Sequence, residues 1–216
     1  MTTATVATPV RFERPQKKQR SAITLKAIAR CVPKQGNWTI DDFDYFSARL
    51  DDKPPFEFSH GRVVRKSVSI TIHVLIVAYL RWELEAFVRA KKLGRVFAEN
   101  PELRYSDVLV RIPDVVFVSN ENFGKYTDKG WPVFDIAMEV LSPSNWREDV
   151  IEKRKDYALA GLPEYWIVDA KRKQITVLKL NGGKYVEHGV FEPGEKATSC
   201  VLEGFDVDVT EALAGK

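Results

Sequence analysis

A chain of 216 residues with 44% hydrophobic content can bury the core of one full domain and is too short for two large ones. Its two cysteines, Cys31 and Cys200, have no CxxC or metal-finger spacing and imply no disulfide framework, and nothing resembles a secretory signal, so a reduced, cytoplasmic protein is expected. The net charge of +3 conceals a split: residues 1–34 hold eight Lys or Arg against Glu13 alone, which leaves the rest of the chain at −4.

Residues 1–20 combine small polar residues, two prolines and a basic cluster with too little apolar material to fold, so they read as a flexible arm that nucleic-acid phosphates could attract. Residues 21–32 place Ile23, Ala27 and Ile28 at helical spacing behind Ser21, before Pro33 and Gly36 break the pattern. The expected division is therefore an arm over residues 1–36 and a domain over 37–216. Thr39 stands as an N-cap before Phe43 and Phe46, which share a helical face. After Pro54-Pro55, Phe56-Glu57-Phe58 and His60-Gly61-Arg62-Val63-Val64 read as two short strands around a glycine turn. Strand alternation would put Glu57 on the exposed face of an edge strand; the functional reading makes it an accessory or orienting carboxylate.

The strongest helix spans residues 69–92, where Ile72, Ile76, Leu80 and Leu84 form an apolar stripe and Gly94 marks the stop. His73 lies near its start, as a hydrogen-bonded structural residue or as part of a site. The apolar run at residues 74–80 is far too short to span a bilayer, so no membrane partner is expected. From Arg95 the period changes to that of strands, and segments at 96–98, 103–105, 108–110 and 114–118 predict a meander. A buried strand at 134–141, a helix at 147–160 ending at Gly161, and a strand at 164–169 follow. Asn181-Gly182-Gly183 then turns a hairpin, and residues 199–209 close the fold.

Two of these strands carry one carboxylate each. Asp114 opens Val115-Val116-Phe117-Val118, and Glu139 sits within Ile136-Ala137-Met138-Glu139-Val140-Leu141; a charge in such a run needs a partner or a task. Downstream, Asp149, Lys153 and Tyr157 recur every four residues, which sets an acid, an amine and a phenol on one helical face. Asp149 and Lys153 could be only a surface ion pair. The same residues also suit phosphodiester hydrolysis. Magnesium held by the carboxylates of Asp114 and Glu139 would keep waters for the phosphate and the nucleophile, with manganese as a substitute. Lys153 could orient or deprotonate the water and offset anionic charge. A strand-borne lysine two residues after Glu139 is absent, because that position is Leu141.

The order PDVVF, EVLSPS, Asp-x3-Lys-x3-Tyr and AGLPEYWIVD, with FEFSHGRVV and the helical His73, resembles the Uma-two family of restriction-endonuclease-like proteins, a branch of the PD-(D/E)XK nuclease superfamily. The resemblance runs from Thr39 to the C-terminus. It implies an α/β, restriction-endonuclease-like fold, a central mixed sheet flanked by helices. It also implies that Asp114 and Glu139 are the metal-binding acids, that Lys153 has migrated from strand to helix, and that Glu57 and His73 support the site. Arg62, where the family often has an acid, and the basic arm depart from the pattern. The function expected is a metal-dependent DNA endonuclease, for which a homodimer is a reasonable assembly. The alternatives are a non-catalytic nucleic-acid-binding or assembly protein, or a hydrolase of RNA or a small phosphate ester. No helix-turn-helix or zinc-finger pattern supports sequence-specific recognition.

Overall fold

The computed structural model describes residues 33–48, 56–65, 71–98, 101–142 and 148–216. The chain divides into two units, Met1–Val32 and Pro33–Lys216. The first unit, with the arm and the helix expected at 21–32, lies outside the described residues.

In the second unit Thr39 caps helix α1 (Ile40–Ser47) through a capping box with Asp42, which satisfies backbone donors at the helix start. Strands β1 (Phe56–Ser59) and β2 (Arg62–Arg65) form a hairpin whose two turn residues, His60 and Gly61, have φ of 46° and 77°, as a tight hairpin turn demands. Helix α2 (Thr71–Lys91) buries Ile76, Leu80, Leu84 and Val88, the stripe its spacing predicts. Lys92, with φ of 56°, ends it in the left-handed region. Gly94 serves another purpose: it begins β3 (Gly94–Phe97), and a Cβ there would overlap the Val118 carbonyl of the adjoining strand.

The meander expected between residues 96 and 118 is instead divided between two sheets. Strands β4 (Leu103–Ser106) and β5 (Leu109–Arg111) join the first hairpin in the order β2-β1-β5-β4. Pro113 then interrupts the ladder, and β6 (Val115–Ser119) enters a six-stranded sheet in which it pairs with β3. Helix α3 (Asn120–Phe123) and a loop lead to β7 (Ile136–Val140). A π-helical turn, Glu148–Glu152, runs into α4 (Lys153–Leu159), so the helix expected at 147–160 is regular only in its second half. Strands β8 (Glu164–Asp169), β9 (Gln174–Asn181) and β10 (Lys184–Phe191) complete the sheet as β10-β9-β8-β7-β6-β3. Within this sheet β7 and β8 pair in parallel, with the π turn and α4 in their crossover, and the other neighbours are antiparallel. The small pair β11 (Lys196–Thr198) and β12 (Asp206–Asp208) and helix α5 (Val209–Ala214) follow.

Alternation assigns the two faces of the large sheet. Val115, Phe117, Ile136, Met138, Trp166 and Val168 pack with α2, β12 and α5 in one cluster. Val116, Val118, Ala137, Tyr165 and Ile167 pack with Tyr157 and Ala160 of the α4 segment and with β4 and β5 in the other. Glu139 shares the parity of Ala137, so it points to the α4 side of the sheet. Among the described residues, no helix is long and apolar enough to cross a membrane.

Candidate active site

Two neighbouring strands bring the predicted acids together. Val115 pairs with Met138, and carrying that register one residue further sets Asp114 opposite Glu139. Asp114 is 5% exposed and Glu139 2%. The Oδ2 of Asp114 accepts from the Val140 backbone N–H at 2.9 Å and lies 3.1 Å from His73 Nε2. The other ring nitrogen of His73 is buried with no hydrogen-bond partner among the described residues, and the Asp114 contact holds the ring.

Helix α4 supplies the amine. Lys153 is 3% exposed, and its Nζ lies 2.9 Å from Oε1 of Glu139 and 3.5 Å from Oε1 of Glu57. One turn on, the Tyr157 hydroxyl donates to the same Glu139 oxygen at 2.6 Å while its ring meets Tyr165 edge-on. Burial, then the charges of Glu139 and Glu57, raise the Tyr157 phenol well above its ordinary value, so it stays a donor. A surface ion pair between Asp149 and Lys153 is thus not the role of this lysine, which is buried against Glu139. The Asp149 side chain lies outside the described residues.

Glu57 corrects another expectation. Strand β1 is interior to its sheet, between β2 and β5, and Glu57 is 2% exposed rather than facing solvent on an edge. Its Oε1 accepts from Ile112 N at 3.0 Å and its Oε2 from Arg111 Nη1 at 2.9 Å. Arg111, at the end of β5, is fully buried and also donates to Glu148 at 2.7 Å and, through Nε at 2.8 Å and Nη2, to Asp156. Burial opposes the Arg111 charge, but Glu57, Asp156 and Glu148 outweigh it and raise its pKa above the ordinary guanidinium value. Asp156 in turn accepts from Ser59 Oγ at 2.8 Å, with His60 Nε2 3.4 Å away, which ties α4 to the first hairpin.

The structure therefore joins Glu57, Glu139, Lys153 and Tyr157 in one network, and sets the His73–Asp114 pair beside it on the backbone of Val140, the residue after Glu139. Arg111, Glu148 and Asp156 belong to it although neither spacing nor strand pattern singled them out. The only cue was Arg111 at the second position after Leu109, on the inward face of an apolar strand.

The donor chemistry fits a hard divalent cation. Four carboxylates, those of Glu57, Glu139, Glu148 and Asp156, meet the cations of Arg111 and Lys153, an anionic surplus in a largely buried setting, and Asp114 meets His73 beside them. Among the described residues, no three His, Cys, Asp or Glu side chains converge into a ready cage. Carboxylate oxygens with water completing the shell are a ligand set that hard divalent cations take.

The family described as "Uma2: Putative restriction endonuclease" matches residues 42–210. The chain belongs to that family. Asp114, Glu139 and Lys153 all fall within the matched Uma2 region, as do Glu57 and His73. The fold is also that of a solved structure described as a putative nuclease belonging to DUF820, from Anabaena variabilis ATCC 29413. That protein is 17% identical, and the match covers 82% of this chain and 98% of that one with a TM-score of 0.67. No curated protein matches the chain. Uma2 membership places it among nuclease-like proteins with a central mixed sheet flanked by helices.

Proposed function

We propose that this protein is a magnesium-dependent DNA endonuclease that hydrolyses phosphodiester bonds, with manganese as a substitute ion. The observation that carries the reading is the buried contact of Lys153 Nζ with Glu139, on the strand next to the one that Asp114 opens. Asp114 and Glu139 would hold the metal, which when bound supplies Lewis acidity and an activated water. Lys153 orients the nucleophilic water and offsets charge on the phosphate. His73 and the Val140 N–H hold one Asp114 oxygen, and Tyr157 holds one Glu139 oxygen, so both acids keep their aim. Glu57 sits on the other side of the lysine. A cytoplasmic location keeps Cys31 and Cys200 reduced, and cutting both strands of a duplex calls for two such sites, hence a homodimer.

The net negative charge outside the arm favours a second reading, a non-catalytic nucleic-acid-binding or assembly protein on the same fold. Cleavage of supercoiled plasmid in magnesium or manganese separates the two. Asp114→Asn, Glu139→Gln and Lys153→Met keep side-chain size, and each is expected to slow nicking by about 10²-fold or more. Wild-type protein no more active than these variants, across metals and salt, would reject catalysis and leave the binder.

A further inference from the structure

We propose that Arg111 is a positioning residue that decides which carboxylate holds the Lys153 ammonium. The inference rests on the nuclease reading for its consequence in the reaction, but the positioning itself does not.

Lys153 stands between two carboxylates, both 2% exposed, and lies closer to Glu139 at 2.9 Å than to Glu57 at 3.5 Å. In a buried setting with little solvent screening, the balance depends on how far each carboxylate is already neutralised. Arg111 neutralises Glu57 at Oε2, while Lys153 faces Oε1. The guanidinium cannot follow the lysine, because it is also fixed to Glu148 and, through Nε and Nη2, to Asp156. Asp156 is itself fastened by Ser59. The next residue, Ile112, adds its N–H to Glu57 Oε1, so one short segment both neutralises and aims this carboxylate. Without the guanidinium, Glu57 becomes the stronger competitor and draws the ammonium away from Glu139 and from the place where water is to be oriented.

The test compares full-length wild type, Arg111→Gln, Arg111→Lys and the double variant Arg111→Gln/Glu57→Gln. The first readout needs no activity: the proton–nitrogen signal of the Lys153 ammonium, identified by its loss in Lys153→Arg. Arg111→Gln should move that signal and Arg111→Lys should leave it between the two. The double variant should return it toward wild type, because a neutral amide in place of the Glu57 carboxylate no longer competes. Single-turnover plasmid cleavage is the second readout, with a loss of at least about tenfold for Arg111→Gln and recovery of several-fold in the double variant.

A purely structural Arg111 predicts another pattern. Glu148 and Asp156 lose the same partner in the single and double variants, so a double variant no closer to wild type than the single one overturns the proposal. An unmoved signal in folded Arg111→Gln does so as well. Should Arg111→Gln not fold, the double variant, which removes one charge of each sign, decides by whether its Lys153 signal matches wild type. Inactive wild type with the expected signal pattern would overturn the nuclease reading and leave the positioning role standing.

Discussion

Tyr157 is the residue where packing and chemistry separate most cleanly. Its ring is fully buried against Tyr165, while its hydroxyl donates to Glu139. Tyr157→Phe keeps the ring and removes the donor, so we expect a stability loss of about 1 kcal/mol by denaturant unfolding and a larger fractional loss in cleavage. The alkaline limb gives an independent check. With its folded pKa raised, the phenol contributes stability that is fully present below the unfolded value of about 10 and is lost as pH rises toward the folded one. Stability of the wild type should therefore fall above about pH 10, and Tyr157→Phe should fall less steeply, because Phe has no proton to release on unfolding. An equal slope in both proteins would show that Tyr157 is not held protonated by its surroundings. At this scale the sequence was informative where a charge interrupted an apolar run, as at Asp114 and Glu139. It was silent at Asp156, because nothing in the local pattern sets this aspartate on α4 apart; the arrival of Arg111 from β5 and of Ser59 from β1 does so.

Elements that close on themselves were readable from local chemistry, whereas partners distant in sequence were not. The hairpin of β9 and β10 forms around Gly182 and Gly183, whose φ of 57° and 77° are what its tight turn requires. The departure of β4 and β5 into a second sheet depends on which strands lie beside them, and no local pattern announces it. The closing segment shows the same dependence. Glu164, fully buried at the start of β8, accepts from Ser199 Oγ and from the backbone N–H groups of Cys200 at 2.6 Å and Val201 at 2.8 Å, and also from the Trp166 indole. One carboxylate thus fastens the turn between β11 and β12 to the central sheet. Glu164→Ala would leave these donors unsatisfied, and we expect a cost of about 3 kcal/mol or more. Cys200 reports the opening: burial and Glu164 push its thiol up to about 12, so it should alkylate slowly at pH 8 in wild type. Faster labelling of Cys200 in Glu164→Ala, located by mass spectrometry to distinguish it from Cys31, is the expected result. Unchanged labelling would mean that backbone pairing of β11 with β12 holds the turn without Glu164.

At the scale of the whole molecule, net positive charge is concentrated at one end of the chain. Residues 1–32 hold seven Lys or Arg against Glu13, while both apolar clusters among the described residues belong to Pro33–Lys216. A chain shortened to 33–216 should therefore melt within a few degrees of the full protein. Its grip on DNA should change much more. Each cation that neutralises a phosphate releases counterions, at about 0.9 units of slope in log K against log salt for duplex DNA. Full engagement of the seven cations of residues 1–32 would contribute a slope of about 6. We expect the shortened chain to bind a duplex of arbitrary sequence more weakly at low salt and to lose much of its salt dependence, while its cleavage rate at saturating DNA stays near that of the full chain. That combination would assign capture to the arm and chemistry to the sheet. An unchanged slope would move the phosphate contacts to the body, where Arg62, Arg89, Lys91 and Lys92 are exposed despite the net negative charge, and the arm would then have no part in holding DNA.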